Sequence, residues 1–227
     1  MEKEIGKMCA EGFSFFGISN RLISHELKNI LAIISETLGL LEELVELSEA
    51  GTQLKPGKLR SLSASVIEEV ERANAIIRNM NTFAHSVDEF IREVDLSQAV
   101  SLMIELTQLD STSKNTKLRL ADGEACVIYT SPFFLQNLIY HAINHSLRGA
   151  GAENEIRVSF DLDDNVARIV FSGIASNRIG EFPTKKEDFL AKALSAKLSL
   201  DVSAGEMHIV LPQRLSESPI QALFVQQ

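Results

Sequence analysis

The sequence contains no tryptophan and only two cysteines, and it has no apolar run long enough to cross a membrane. A membrane helix needs about 20 consecutive apolar residues, so we expect no membrane span. Cys9 and Cys126 belong to no CxxC or metal-ligand spacing, which favours buried thiols in a reducing compartment over a disulfide framework. The first residues, Glu2 to Glu4, lack the apolar core of a signal peptide, so we expect a cytoplasmic protein.

Positive charge is also scarce. The chain has 22 lysines and arginines against 31 aspartates and glutamates, which gives a net charge of −9. No basic stripe is present to neutralise phosphates, so we expect no nucleic-acid partner. The length of 227 residues suits two small domains or one large domain, and the hydrophobic fraction of 45% is ordinary for a soluble globular protein.

A long helical pattern occupies the first part of the chain, from about residue 10 to 49. Its apolar residues recur at steps of three and four: Ile23, Leu27, Ile30, Ile34, Leu38, Leu41 and Val45. Residues 50–57 then contain a glycine, a proline and a second glycine, which end one helix and start another.

A second apolar seam runs from Leu59 to Ile91 without a glycine or proline. Two long helices joined by a short loop predict an antiparallel hairpin. Apolar residues also lie beside each seam, as at Leu31 and Ile67. This extra width favours a four-helix bundle made by two chains. The alternative is packing of the hairpin against the chain's own C-terminal part.

After Glu93 the pattern changes to shorter elements. Helices are predicted at 97–109, 131–147 and 186–199, and strands at 116–121, 125–129, 155–162, 166–172, 200–203 and 207–211. Helices interleaved with mostly antiparallel strands predict an α/β sandwich of the α+β class. We therefore divide the chain into a helical hairpin (1–93), a sandwich domain (94–214) and a weakly patterned tail (215–227).

His25 and Glu26 are neighbours in the first helix, and Asn29 follows one turn later. His25 lies two residues after Ile23, which is about 200° around the helix, so we expect it to face solvent. A histidine beside a carboxylate on an exposed helix face suits reversible phosphorylation. The alternative is a solvated helix face without a function.

Four segments together resemble the core of a sensor histidine kinase: residues 24–29 its phosphoacceptor box, 94–96 the start of its ATP-binding domain, 134–142 the helix with its magnesium-binding asparagine, and 211–212 its end. The resemblance implies that His25 accepts a phosphoryl group and that Glu26 hydrogen-bonds the other ring nitrogen. Asn29 matches the family position that orients a water against an acyl phosphate, which leaves a phosphatase activity open.

Several positions depart from that family. His141 stands where the family has the second asparagine of Asn-Leu-x-x-Asn-Ala, and imidazole is a poor ligand for magnesium. Ser172 and Gly173 stand where the family has an Asp-x-Gly-x-Gly segment that binds adenine. Gly180 is the one glycine left of the glycine-rich stretch whose backbone amides approach the phosphates. We therefore expect a degenerate nucleotide site and no cofactor bound by this chain.

The interpretation we favour is a dimeric histidine phosphotransferase of a phosphorelay. His25 would take phosphate from a response-regulator receiver domain and pass it on, and the receiver would supply the magnesium. Apolar residues on the His25 face predict the docking surface: Leu22, Ile33 and Leu40. Two alternatives stay open. One is a divergent sensor histidine kinase that autophosphorylates His25 with ATP, and the other is a non-catalytic scaffold with a kinase-like fold.

Overall fold

A computed structural model of the chain describes residues 2–110, 116–175 and 181–216. Its contacts group into two compact units. The helical unit is Ile18–Thr82. The sandwich unit joins the start of the chain, up to Gly17, to the chain from Phe83 onward. The first helix contributes residues to both units, because it is continuous from Glu2 to Glu49.

Two long helices form the predicted hairpin. They are α1 (Glu2–Glu49) and α2 (Pro56–Ala84), and α1 is closed by Gly51 at a φ of 91°. The prediction that the second helix continues to Ile91 is wrong. After Ala84 the chain makes a single 3₁₀ turn, His85–Val87, in which His85 Nδ1 lies 2.7 Å from Asp88 Oδ2. The Asp88 N–H donates to the His85 carbonyl at 3.5 Å, which closes this turn.

The buried side of α1 within the helical unit differs from the predicted apolar seam. Its most buried members alternate apolar and polar side chains: Ser19, Ile23, Glu26, Ile30 and Thr37. Leu38 and Val45, which belong to the predicted seam, are exposed. Two of these polar residues have partners, since Glu26 pairs with Arg72 and Thr37 Oγ1 donates to the Ile33 carbonyl at 2.8 Å. The apolar pattern therefore locates Ile23 and Ile30 in the interior but misses the buried polar positions beside them.

The sandwich unit has the predicted α+β architecture. Its further elements are β1 (Arg92–Asp95), α3 (Leu96–Gln108), β2 (Lys117–Leu120), β3 (Val127–Thr130), α4 (Pro132–Arg148), β4 (Glu155–Asp163), β5 (Val166–Ser172), α5 (Lys185–Ala193), β6 (Lys197–Asp201) and β7 (Glu206–Pro212). The larger sheet has the order β2-β4-β5-β7-β6, in which only β2 and β4 are parallel. Antiparallel β1 and β3 form a separate two-stranded sheet.

Alternation of side chains sets the two faces of the larger sheet. In β4, Ile156, Val158 and Phe160 are buried, while the residues between them are more accessible. The hairpin from β4 to β5 turns at Asp164 and Asn165, which both have positive φ, as a two-residue hairpin turn requires. Helices α3, α4 and α5 contact the strands and supply the other half of the core.

Two local predictions are wrong. The helix predicted over 186–199 ends at Ala193, because Ser195 adopts a left-handed conformation (φ 52°) and the chain enters β6 at Lys197.

The expectation of two buried thiols holds for Cys126 but not for Cys9, which is exposed. Burial, with help from Asp161 and Asp95, raises the pKa of the Cys126 thiol, so this thiol stays protonated.

Candidate functional site

His25 lies on an exposed part of α1, and its ring contacts the amide of Asn29. Asn29 Nδ2 is 3.3 Å from His25 Nδ1, and the same nitrogen donates a hydrogen bond of 3.1 Å to Glu26 Oε2. A carboxylate only accepts hydrogen bonds, so the amino side of the Asn29 amide must face Glu26. That amino group also faces His25. Nδ1 is therefore engaged, and Nε2 makes no hydrogen bond within the described ranges.

Glu26 points into the helical unit, where only 3% of it is exposed. Its carboxylate pairs with the Arg72 guanidinium from α2, and Arg72 Nη1 also lies 3.2 Å from Glu69 Oε2. The direct hydrogen bond expected between Glu26 and His25 is not among the contacts of the described residues. Asn29 links the two side chains instead.

Arg72 is a member of this site that the sequence reasoning missed. The sign it leaves in the sequence is the charge pair with Glu69, three residues before it beside the second apolar seam. Such pairs are common on exposed helix faces, where they add little stability. Nothing local distinguishes this arginine, because its important partner lies 46 residues away.

The three candidate docking residues lie on the same side of α1 as His25, since steps of three, four and seven residues return to one side of a helix. Leu22 and Ile33 are half-buried, while Leu40 is exposed. Leu40 therefore offers the most accessible apolar surface of the three.

A different side of the hairpin carries a row of exposed apolar residues, which we name the apolar row: Leu31, Leu38, Val45, Ile67, Val70 and Ile77. Each follows a buried or half-buried residue by one position, which turns it about 100° from the hairpin interior. Because α1 and α2 run antiparallel, this rotation brings both halves of the row to one side. His25 precedes buried Glu26 by one position and so lies on the opposite side.

In the sandwich unit, His141 on α4 faces the start of α5. Its Nδ1 is 3.5 Å from Glu187 Oε1, and Glu187 Oε2 accepts bonds from the Thr184 hydroxyl and, at 2.8 Å, from the Thr184 N–H. Burial lowers the pKa of His141, although Glu187 opposes the shift. Burial acts to raise the pKa of Glu187, but hydrogen bonds from the Thr184 side chain and from the backbone outweigh it and lower that pKa. The family's magnesium position is thus occupied by a partnered imidazole.

The other departures from the family pattern are partly described. Ser172 Oγ donates to the Arg157 carbonyl at 3.4 Å. Gly173 has a φ of 97°, and a Cβ there would lie 2.3 Å from the Glu155 carbonyl oxygen, so this glycine is required by backbone packing. Gly180 lies outside the described residues.

Three further side chains surround the positions that depart from the family pattern. Phe171 is fully buried in the core, and the Phe182 ring lies 4.9 Å from the His145 ring on α4. Asn137, one turn before His141, is fully buried, and neither of its amide atoms has a hydrogen-bond partner in the described part of the chain. The amide oxygen of Asn137 is of the ligand type that magnesium prefers, whereas the neighbouring His141 imidazole is not.

The described ranges hold no group of three or more histidine, cysteine, aspartate or glutamate side chains placed to bind a metal ion. None of the helices within them is long and apolar enough to span a bilayer.

The sequence matches no protein-family model and no curated protein. Among solved structures, the catalytic domain of the histidine kinase ThkA aligns with a TM-score of 0.45 and 14% identity, over 56% of this chain and 99% of that chain. The Acinetobacter baumannii histidine kinase AdeS aligns with a TM-score of 0.44 and 13% identity, over 83% and 98%. A bacterial phosphotransferase aligns with a TM-score of 0.49 and 12% identity, over 87% and 95%.

Proposed function

We propose that this chain is a histidine phosphotransferase that accepts a phosphoryl group on His25 from the aspartate of a receiver domain and passes it to another receiver. The observation that carries the proposal is the exposed His25 ring, whose Nδ1 is engaged by Asn29 while Nε2 is left unpaired within the described ranges. An imidazole with one engaged nitrogen and one open nitrogen turns the open nitrogen toward a docking partner.

The chemistry needs little beyond positioning. The N–P bond forms at Nε2 as the P–O bond to the receiver's aspartate breaks, and the bonding electrons of the P–O bond stay on the departing carboxylate. Such transfers depend mainly on alignment and charge stabilisation. The magnesium that stabilises the phosphoryl charge belongs to the receiver in this proposal. Leu22, Ile33 and Leu40 lie on the His25 side of α1 and would contact the receiver.

The sandwich unit supports transfer without ATP. His141 is held by Glu187 instead of offering an oxygen ligand, and position 172 carries a serine instead of the adenine-binding aspartate. These two differences concern the binding of separate parts of a nucleotide: His141 concerns the phosphates, and Ser172 concerns the base. In this proposal the sandwich unit is a retained fold without a nucleotide-dependent step.

The apolar row supports a homodimer. A helical hairpin with a second apolar side has unburied surface of the kind that four-helix bundles cover. A twofold-related second copy is the simplest partner, because one self-complementary surface then serves both chains. Since His25 lies on the opposite side, dimerisation through this row would leave both His25 rings accessible.

The proposal is tested by phosphotransfer from receiver domains of the source organism, each loaded with labelled phosphate. Label should move to the wild-type chain and not to His25→Gln. Incubation with labelled ATP and magnesium should leave the wild-type chain unlabelled. If no cognate receiver transfers label to His25, the proposal is wrong and the scaffold interpretation gains.

The second candidate is ATP-dependent autophosphorylation of His25. The unpaired, buried amide of Asn137 favours it, because a free oxygen on α4 is what a nucleotide-bound cation would use. Stable label from ATP on the wild-type chain, absent from His25→Gln and from Asn137→Leu, would establish the kinase over the phosphotransferase.

A further inference from the structure

A chain of hydrogen bonds connects Arg72 to the ring of His25. Arg72 pairs with Glu26, Glu26 accepts from Asn29, and the Asn29 amino group faces His25 Nδ1. The buried Glu26 carboxylate accepts hydrogen bonds only, so it fixes which side of the Asn29 amide turns toward it. Arg72 in turn keeps this carboxylate in place, because a buried charge needs its partner.

This arrangement specifies the protonation of the resting ring. An amino group only donates, so Nδ1 of His25 has to accept, and the proton of the neutral ring then resides on Nε2. A ring nitrogen that carries a proton has no lone pair in the ring plane with which to attack phosphorus. The atom best placed for transfer is therefore inactive while the network is intact.

We infer that Arg72 is a positioning residue that, through Glu26 and Asn29, holds resting His25 as the Nε2–H tautomer until a docked receiver opens the network. The inference rests on the proposed function. Opening would let Nε2 lose its proton to water while Nδ1 takes one from water. Nε2 then forms the N–P bond, the P–O bond to the aspartate breaks, and the departing carboxylate keeps its electrons. Glu26, once released by Arg72, is a carboxylate able to accept the new Nδ1–H.

The first test reads the ring directly and does not depend on transfer. Long-range ¹H–¹⁵N spectra of the full chain, recorded near pH 8 where a free imidazole is about fully neutral, report the tautomer of His25, which His25→Gln identifies. The wild type should show one Nε2–H tautomer. In Arg72→Gln, and in Asn29→Ala, the two ring ¹⁵N shifts should move toward each other as both tautomers become populated. Arg78→Gln, at another exposed position of α2, is the matched control.

The second test is the initial rate of phosphotransfer from a labelled receiver. Arg72→Gln should accept phosphate faster than wild type by about fivefold, the factor for one ordinary hydrogen bond, while Arg72→Lys keeps the charge and stays near the wild-type rate. A mixed tautomer in the wild type, or Arg72→Gln and Asn29→Ala spectra identical to Arg78→Gln, would overturn the inference, as would an unchanged or lower Arg72→Gln rate. If no receiver labels His25 at all, the proposed function fails, while the spectra still decide whether Arg72 sets the tautomer.

Discussion

The ring of Phe15 meets the ring of Phe83 edge-on, with centroids 5.3 Å apart and planes at 88°. Phe15 also lies near Phe133 and Tyr140 of α4, at centroid distances of 5.6 and 5.3 Å. This cluster attaches the start of α1 to the sandwich unit. Because aromatic side chains bury large apolar areas, it is a main source of stability for that attachment.

Replacing Phe15 with alanine should strongly destabilise the sandwich unit. Phe15 is 2% exposed, and a buried phenylalanine truncated to alanine costs about 3–5 kcal/mol. Urea denaturation measures the loss. Phe13→Ala is the matched control, since Phe13 is 78% exposed and should change stability by no more than about 0.5 kcal/mol. Equal losses in the two variants would contradict the cluster's role.

Two glycine-to-alanine changes should have opposite signs. At Gly173 the positive φ and the approach of the Glu155 carbonyl leave no room for a Cβ, so Gly173→Ala should unfold the sandwich unit or lower its melting temperature sharply. At Gly39, within α1, an added Cβ would meet nothing within 4 Å, so Gly39→Ala should stabilise by about 0.5–1 kcal/mol. Thermal melts followed by circular dichroism compare them. A neutral Gly173→Ala would show that the glycine is not structurally required.

Acidification should weaken the sandwich unit through His141 and His145. Burial is the main cause that lowers the pKa of both. Below about pH 6.5 the unfolded chain therefore binds more protons than the folded unit. The two histidines therefore leave the stability of the folded unit unchanged above that pH. Below it, they destabilise the folded unit more and more as the pH falls. The urea midpoint should drop between about pH 7 and pH 5, and His141→Gln should drop less. Equal slopes for His141→Gln and wild type would refute the assignment.

The two sides of the hairpin should respond differently to a new charge. Leu31→Glu places a carboxylate in the apolar row, where Leu31 is 61% exposed, and should convert the proposed dimer to monomer in analytical ultracentrifugation. Leu40→Glu, on the His25 side, should leave the oligomeric state unchanged and slow transfer from the receiver, as should Ile33→Glu. A dimer that survives Leu31→Glu would exclude this row as the interface. Unchanged transfer in both Leu40→Glu and Ile33→Glu would exclude the docking surface.

The parts of this fold that follow from local pattern could be predicted from the sequence. The periodic apolar residues of α1, the turn at Asp164 and Asn165 and the alternation in β4 each depend on neighbours a few residues away. The end of α5 could not be located, because Leu198 continues the helical spacing and only the backbone of Ser195 reverses the chain.

The candidate site shows the same division. His25, Glu26 and Asn29 could be selected because they share one helical turn. The direction of the Glu26 side chain could not, because it is decided by a buried ion pair with Arg72 across the hairpin. Long-range pairs of this kind leave no periodic trace in a single sequence.

The attachment of Phe15 to α4 also bears on how the chain can be divided or recombined. The sandwich unit is discontinuous in sequence, because residues up to Gly17 belong to it while Ile18–Thr82 do not. A fragment that begins after the hairpin would expose the ring faces of Phe133 and Tyr140 that Phe15 now covers. Unlike a module joined at one linker, this unit would have to be inherited, expressed or fused together with the beginning of α1.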